Sequence, residues 1–264
     1  MVVPNFTIWG SRTMRTLANY KPHVEIVSDL EGLSKRGLES FVSHAGKAIK
    51  DKGKFFVAIS GGFTPRSFLE LLGDHPDSQN LDWDNIHVFW VDERYVPKDS
   101  KWSNYNLAHE TFLSKVKIPP HNVHAISTDF ADFEEAARQY EEDLRCVFDI
   151  GKDHIPEFDL IFLGMGSDGH TGSLMPNSNA SFDTAHLACV VYVMDEKLNR
   201  ITLTYPVLRA ASNLIVMVSG KSKAKILKEV LTSEPDEIKY PIHLLWPVLE
   251  KVCWLVDGEA AELL

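Results

Sequence analysis

The sequence predicts an α/β protein, a three-layer α/β/α fold around a mostly parallel, Rossmann-like central sheet. Three observations carry that prediction. Four near-continuous apolar runs, "KFFVAIS", "NIHVFWV", "FDLIFLG" and "NLIVMVSG", have the pattern of strands buried on both faces. Segments with apolar residues three and four apart lie between them, as amphipathic helices require. The length, 264 residues, suits an α/β fold with one large core.

Taken in order, residues 1–23 show no periodicity and are expected to form an irregular N-terminal extension. Residues 24–264 are expected to form a single domain, which opens with a short strand in "HVEIVS". Over 29–50 the residues Leu30, Leu33, Leu38, Phe41, Val42, Ala45 and Ile49 fall on one helical face, with Asp29 placed as N-cap. After the strand "KFFVAIS" a helix is expected over 65–72, with Thr64 as N-cap and Pro65 as its first residue. Further helices follow over 104–115, capped within "SNYN", and over 133–148, with the stripe Phe133, Ala136, Ala137, Tyr140, Leu144 and Val147. Buried strands alternating with helices make a parallel sheet, and such sheets bind ligands beyond the carboxyl ends of their strands.

The formal net charge of −10 gives no global positive field, so nucleic acid and anionic membranes are not expected partners. A small anion is still compatible, held by a local cluster of cations and backbone N–H groups. Cys146, Cys189 and Cys253 lie far apart without CxxC spacing, which argues against a disulfide framework or zinc site and fits a reducing compartment. Neither a secretory signal pattern nor a run of membrane-span length is present, so a cytoplasmic location is expected.

The strand ends hold the chemistry. "SGGFTPRS" places Ser60, Gly61, Gly62 and Thr64 where a strand turns into a helix, a natural phosphate cradle, although no GK[ST] follows to make a Walker A loop. "DERYVP" places Asp92, Glu93 and Arg94 at the next strand end; a solvated charged turn would explain them, as would an acid/base or orienting Asp92 beside an anion-binding Arg94. The polar "SNYN" that follows can also reach a sugar hydroxyl. "GMGSDGHTGS" satisfies GxGxxG through Gly164, Gly166 and Gly169, but it follows a central strand with no acidic partner downstream. Met165 breaks the GxSxG pattern around Ser167, and Asp168 with His170 lacks a third metal ligand. The acid/base reading remains: His170 can take a proton near neutral pH, and a nearby carboxylate can orient it. Arg200 begins the apolar run "RITLTYPVL", and Lys221 and Lys223 follow "NLIVMVSG" at a further strand end.

The segments "SGGFTP", "VDERYVP", "SNY", "FDLIFLGMGSDGHTGSLMP", "RITLTYPVL" and "SGKSKAKIL" occur in an order that resembles the 6-phosphogluconolactonases, over about residues 24–256. That family shares a fold group with the glucosamine-6-phosphate deaminases, which also carry an Asp-Gly-His loop. The resemblance implies hydrolysis of 6-phospho-D-glucono-1,5-lactone to 6-phosphogluconate, without metal or cofactor, by a monomer or weak homo-oligomer. It implies that His170 is the general base on water and that Asp168 shapes the loop. It implies that Ser60, Gly61, Gly62, Thr64, Arg94, Arg200 and Lys223 surround the phosphate and nearby hydroxyls, with Arg94 and Lys223 foremost and Lys221 less so. The deaminases resemble "DGHIAFNE", with an acid/base Glu five residues after the His; here that position is Met175, which cannot carry a proton. A deaminase-like enzyme and a non-catalytic sugar-phosphate-binding protein are the alternatives. The chain departs from the pattern at Phe63, where a small Ser is more usual, at Gly172, and in the segment 177–199 before Arg200.

Overall fold

The computed structural model describes residues 21–193 and 198–264, so the expected irregular extension lies, up to residue 20, outside the described residues. Seven strands, β1 (His23–Val27), β2 (Phe55–Ile59), β3 (Ile86–Trp90), β5 (Val123–His124), β6 (Leu160–Gly164), β9 (Leu214–Val218) and β10 (Val252–Asp257), pair in parallel. Their order is β1-β10-β9-β6-β2-β3-β5. The four apolar runs become β2, β3, β6 and β9, all interior to this sheet. Among the described residues the α-helices of five residues or more are α1 (Leu30–Lys52), α2 (Phe63–Asp74), α3 (Asn104–Ala108), α4 (Phe133–Phe148), α5 (Tyr205–Ala210) and α6 (Ala224–Thr232).

The pleat of β2 builds the layers. Successive side chains leave a strand on opposite faces. Phe55 meets Phe41 of α1 edge-on at 5.4 Å, whereas its neighbour Phe56 meets Phe148 of α4 at 4.4 Å. Helices therefore cover both faces. On the α1 side Phe162 of β6 stacks on Phe68 of α2 at 4.6 Å, and on the α4 side Phe148 packs edge-on against Phe158 at 4.9 Å. Burying rings of this size contributes roughly 1.5–3 kcal/mol each, enough to fix which face of the sheet each helix covers.

Local signals account for the helix ends. Asp29 caps α1 as expected, its carboxylate accepting from Gly32 N at 2.8 Å, and Gly53 closes the helix in the left-handed region. Helix α2 starts earlier than Thr64 would place it. Gly62, at φ 105°, is the cap, so Thr64 and Pro65 lie inside the first turn, where the missing N–H of proline costs nothing. The expected helix over 104–115 divides into α3 and a wider turn, His109–Leu113.

A second sheet was not foreseen. After β3 the chain leaves the central sheet, and "DER" becomes β4 (Asp92–Arg94), a strand rather than a solvated turn. It pairs antiparallel with β8 (Arg200–Leu203), which in turn pairs with β7 (Ala188–Val191). Val91 joins the two sheets, donating to Ile59 O at 2.9 Å and accepting from Leu203 N at 2.7 Å.

The end of β3 has only the two-residue β5 on its outer side, which pairs as far as Phe89. Tyr140 of α4 completes it: its hydroxyl donates to Trp90 O at 2.7 Å and accepts from Trp90 N at 3.0 Å, in the core. Tyr140→Phe leaves a buried N–H and C=O without partners, so unfolding in urea is expected to show a loss of about 1–3 kcal/mol. An unchanged midpoint would contradict this role.

Candidate active site

Strands β2 and β6 are neighbours in the sheet, yet the connection after β2 leads toward β3 and β5 while that after β6 leads toward β9 and β10. This is a topological switch point, where a crevice opens between diverging loops. A cleft of about 310 Å³ stands there, and Ser60, Gly61, Gly62, Thr64, Asp92, Arg94, His170, Arg200 and Lys223 all line it. Of the charged residues singled out at the strand ends, Glu93, Asp168 and Lys221 are absent from the wall.

Asp168 lies behind His170. Its Oδ1 accepts from His170 N at 3.1 Å and meets His170 Nδ1 at 2.6 Å. Burial alone would raise this carboxyl, but the hydrogen bond and charge of His170 outweigh burial and hold it at about 2. An ionised carboxylate only accepts, so Nδ1 is the donor in this contact and Nε2 is the ring nitrogen that Asp168 leaves unengaged. Gly166 makes room for the pair, because a Cβ there would overlap His170 Nδ1 and crowd Asp168 Oδ1. Gly166 N also donates to His170 O at 2.8 Å, and Thr171 Oγ1 donates to Gly164 O at 2.9 Å, which fastens the loop to the end of β6.

Asp92 and Arg94 come from β4. Ser173 Oγ donates to Asp92 Oδ2 at 2.6 Å, tying the histidine loop to the second sheet. Arg94 stands directly opposite Arg200 in the β4–β8 register. Both side chains line the cleft. Arg94 is fixed from below: its Nη1 donates to Asn104 Oδ1 at 2.5 Å and to Trp102 O at 3.1 Å.

The remaining wall comes from β2, α2 and the approach to α6. The Ser60 side chain is buried, at 5% exposure, and its hydroxyl has no partner among the described residues. The first N–H groups of α2 are left unpaired by helix geometry, and Gly62, Phe63 and Thr64 place them at the wall. Burial lowers the Lys223 ammonium below the usual lysine value, partly opposed by the charge of Asp168. Lys221 turns away and pairs with Glu262 at 3.1 Å. Phe63 is 76% exposed at the rim, whereas Met175 packs against the core, so the fifth residue after His170 brings no acid/base group to the cleft.

The sequence reading missed two things here. Asn104 lines the cleft but is also bound to its wall, with Nδ2 donating to Asp92 O at 2.8 Å. Glu93 is buried rather than solvated, at 2% exposure. The capping pattern of "SNYN" was legible, but its buried acidic partner ten residues earlier was not. Among the described residues no group of three or more His, Cys, Asp or Glu is placed to hold a metal ion.

A cationic cleft at the switch point of a doubly wound sheet, with an oriented histidine on its wall, is the layout of an enzyme for small anionic molecules. The family model described as glucosamine-6-phosphate isomerases/6-phosphogluconolactonase matches residues 28–254, and the chain belongs to that family. A 6-phosphogluconolactonase of Synechocystis is 37% identical over 241 residues, covering 91% of this chain and 98% of that protein. One from Nostoc is 38% identical, covering 91% and 97%. The crystal structure of the Thermotoga maritima 6-phosphogluconolactonase superposes with a TM-score of 0.74 at 32% identity, covering 90% of this chain and all of that one.

The His170–Asp168 pair has a titration signature. The Asp168 carboxyl, at about 2, lies below its unfolded value, so its contribution to stability is full above about pH 4 and is lost as the pH falls toward 2. Carbon-detected NMR is expected to show Asp168 as a carboxylate down to about pH 3, and His170→Ala to move its titration upward, since the ring's hydrogen bond and charge are lost while the backbone N–H of residue 170 stays. The same titration in both proteins would contradict the pairing.

Proposed function

We propose that this protein hydrolyses 6-phospho-D-glucono-1,5-lactone to 6-phosphogluconate, the lactonase step of the oxidative pentose phosphate pathway, with His170 as general base. One observation carries the reading: His170, with its Nδ1 engaged by Asp168, lines the same cleft as Arg94, Arg200 and Lys223. The relatives from Synechocystis and Nostoc, both 6-phosphogluconolactonases, support it.

A lactone is an ester closed into a ring. Its carbonyl carbon is already electrophilic, so water activation and stabilisation of one tetrahedral intermediate suffice, without metal, cofactor or covalent adduct. The phosphate, remote from that carbon, binds at the arginines and Lys223 with the Ser60–Gly62 turn and the N–H groups of α2, and its binding energy holds the ring over the base. His170 Nε2 takes a proton from water as the oxygen attacks C1. The developing imidazolium is stabilised by Asp168. Backbone N–H groups of the glycine loop or a cationic side chain receive the oxyanion. The ring oxygen departs as an alcohol and takes the proton back from His170. Asp92, held by Ser173, orients the water or a ring hydroxyl.

A deaminase reading needs a further acid/base carboxylate. Met175 occupies the position that carries it in the deaminases' "DGHIAFNE" pattern, and its side chain packs against the core. The proposal includes a cytoplasmic location and a monomer or weak homo-oligomer. Among the described residues no helix is long and apolar enough to cross a membrane.

Freshly generated lactone, with acid release followed above the spontaneous background, tests the reading. Wild-type protein is expected to accelerate hydrolysis; ammonia release from glucosamine 6-phosphate instead would sink it. His170→Ala is expected to lose about 10²- to 10⁴-fold in kcat while still binding 6-phosphogluconate, and wild-type turnover in that variant would remove His170 as the base. Arg94→Ala and Lys223→Ala are expected chiefly to raise KM, by about tenfold or more, because they remove binding common to ground and transition states. An unchanged KM would rule the residue out as a phosphate ligand.

A further inference from the structure

We infer that Glu93 is a positioning residue that sets the guanidinium of Arg94 through Asn104, and so governs anion binding from outside the cleft. The inference rests on the reading of Arg94 as a phosphate ligand. Along β4 the side chains alternate, so Asp92 and Arg94 face the cleft while Glu93 faces the opposite side. There it is almost wholly buried, and a buried carboxylate is tolerated only when its lone pairs are engaged.

All of them are. Oε1 accepts from Arg94 N at 2.8 Å and Asn104 N at 2.7 Å. Oε2 accepts from Ser103 Oγ at 3.0 Å and Tyr105 N at 2.8 Å. Three of these four donors belong to the start of α3, and Ser103 Oγ passes the bonding on by accepting from Asn106 N at 3.1 Å. Glu93 thus binds the first turn of α3, taking up N–H groups that helix geometry leaves unpaired.

Asn104 is where that anchoring turns back toward the cleft. Its N–H is held by Glu93, while its side-chain amide spans Arg94 Nη1 and Asp92 O. It is also packed from the phosphate side, since a Cβ on Gly61 would overlap its amide. Displacing the start of α3 therefore moves the acceptor that aims Arg94. Burial pushes the Glu93 carboxyl up, against the four hydrogen bonds that favour its charge.

Glu93→Gln tests this with little change of shape. In either orientation its amide NH₂ faces a pair of donors, so at least one backbone N–H loses its acceptor. Titration of the whole protein with inorganic phosphate is expected to show affinity about tenfold weaker than wild type, and lactone kinetics a comparable rise in KM with a much smaller fall in kcat. Asn104→Ala is expected to weaken phosphate binding similarly, and the double variant Glu93→Gln/Asn104→Ala no further than the worse single one. Unchanged phosphate affinity in Glu93→Gln, or multiplying effects in the double variant, would overturn the inference. Should Glu93→Gln fail to fold, Asn104→Ala decides: unchanged phosphate affinity there overturns it equally. Wild-type protein inert toward lactone would overturn the functional reading alone, and the phosphate titrations would still judge Glu93.

Discussion

Where β2 and β6 lie side by side, the chain must leave their carboxyl ends in opposite directions, and nothing in the backbone can fill the gap between the departing loops. That constraint places every functional group. The turn after β2 opens directly into α2, so unpaired helix N–H groups stand on one wall. The loop after β6 has to stay compact beside them, which it does by bonding back on itself and to β6. Its compactness brings a carboxylate and an imidazole two residues apart into contact, with the carboxylate behind and the imidazole in front.

The second sheet closes the other wall. Because β4 continues from β3 after a single residue, Val91, its side chains are set by the central sheet as firmly as those of β3. Pairing with β8 then places Arg200 against Arg94. Two paired strands thus bring two arginines to one cleft. In a chain of net charge −10, this local concentration of cations is what makes binding of a phosphorylated molecule reasonable.

Much of this was legible because burial writes itself as continuous apolar runs: "FFVAI", "IHVFW", "LIFLG" and "LIVMV" each became an interior strand of the central sheet. Asp29 declared the start of α1 through its capping oxygen. Glu93 misled for the opposite reason. A charged residue beside two others reads as solvent, and only the fold reveals four donors converging on it, three of them from an element about ten residues away. Three polar residues likewise give no strand signal of their own, and β4 exists because β8, about a hundred residues later, supplies its partner. Thr64 had the right chemistry for a cap, but Gly62 can turn the chain two residues sooner. Asp168 and His170 were legible as a pair; that one backs the other, leaving Nε2 for the cleft, depends on geometry that no spacing rule contains.

The account makes the two ends of one cleft complementary to the two ends of one molecule. A crystal structure of the protein soaked with 6-phosphogluconate reads that directly. The phosphate is expected within hydrogen-bond reach of Arg94 and Lys223, and the C1 carboxylate, which stands where the lactone carbonyl reacts, beside Nε2 of His170. A ligand bound in the reverse sense, with its phosphate at His170, or bound elsewhere with the cleft left to solvent, would contradict it.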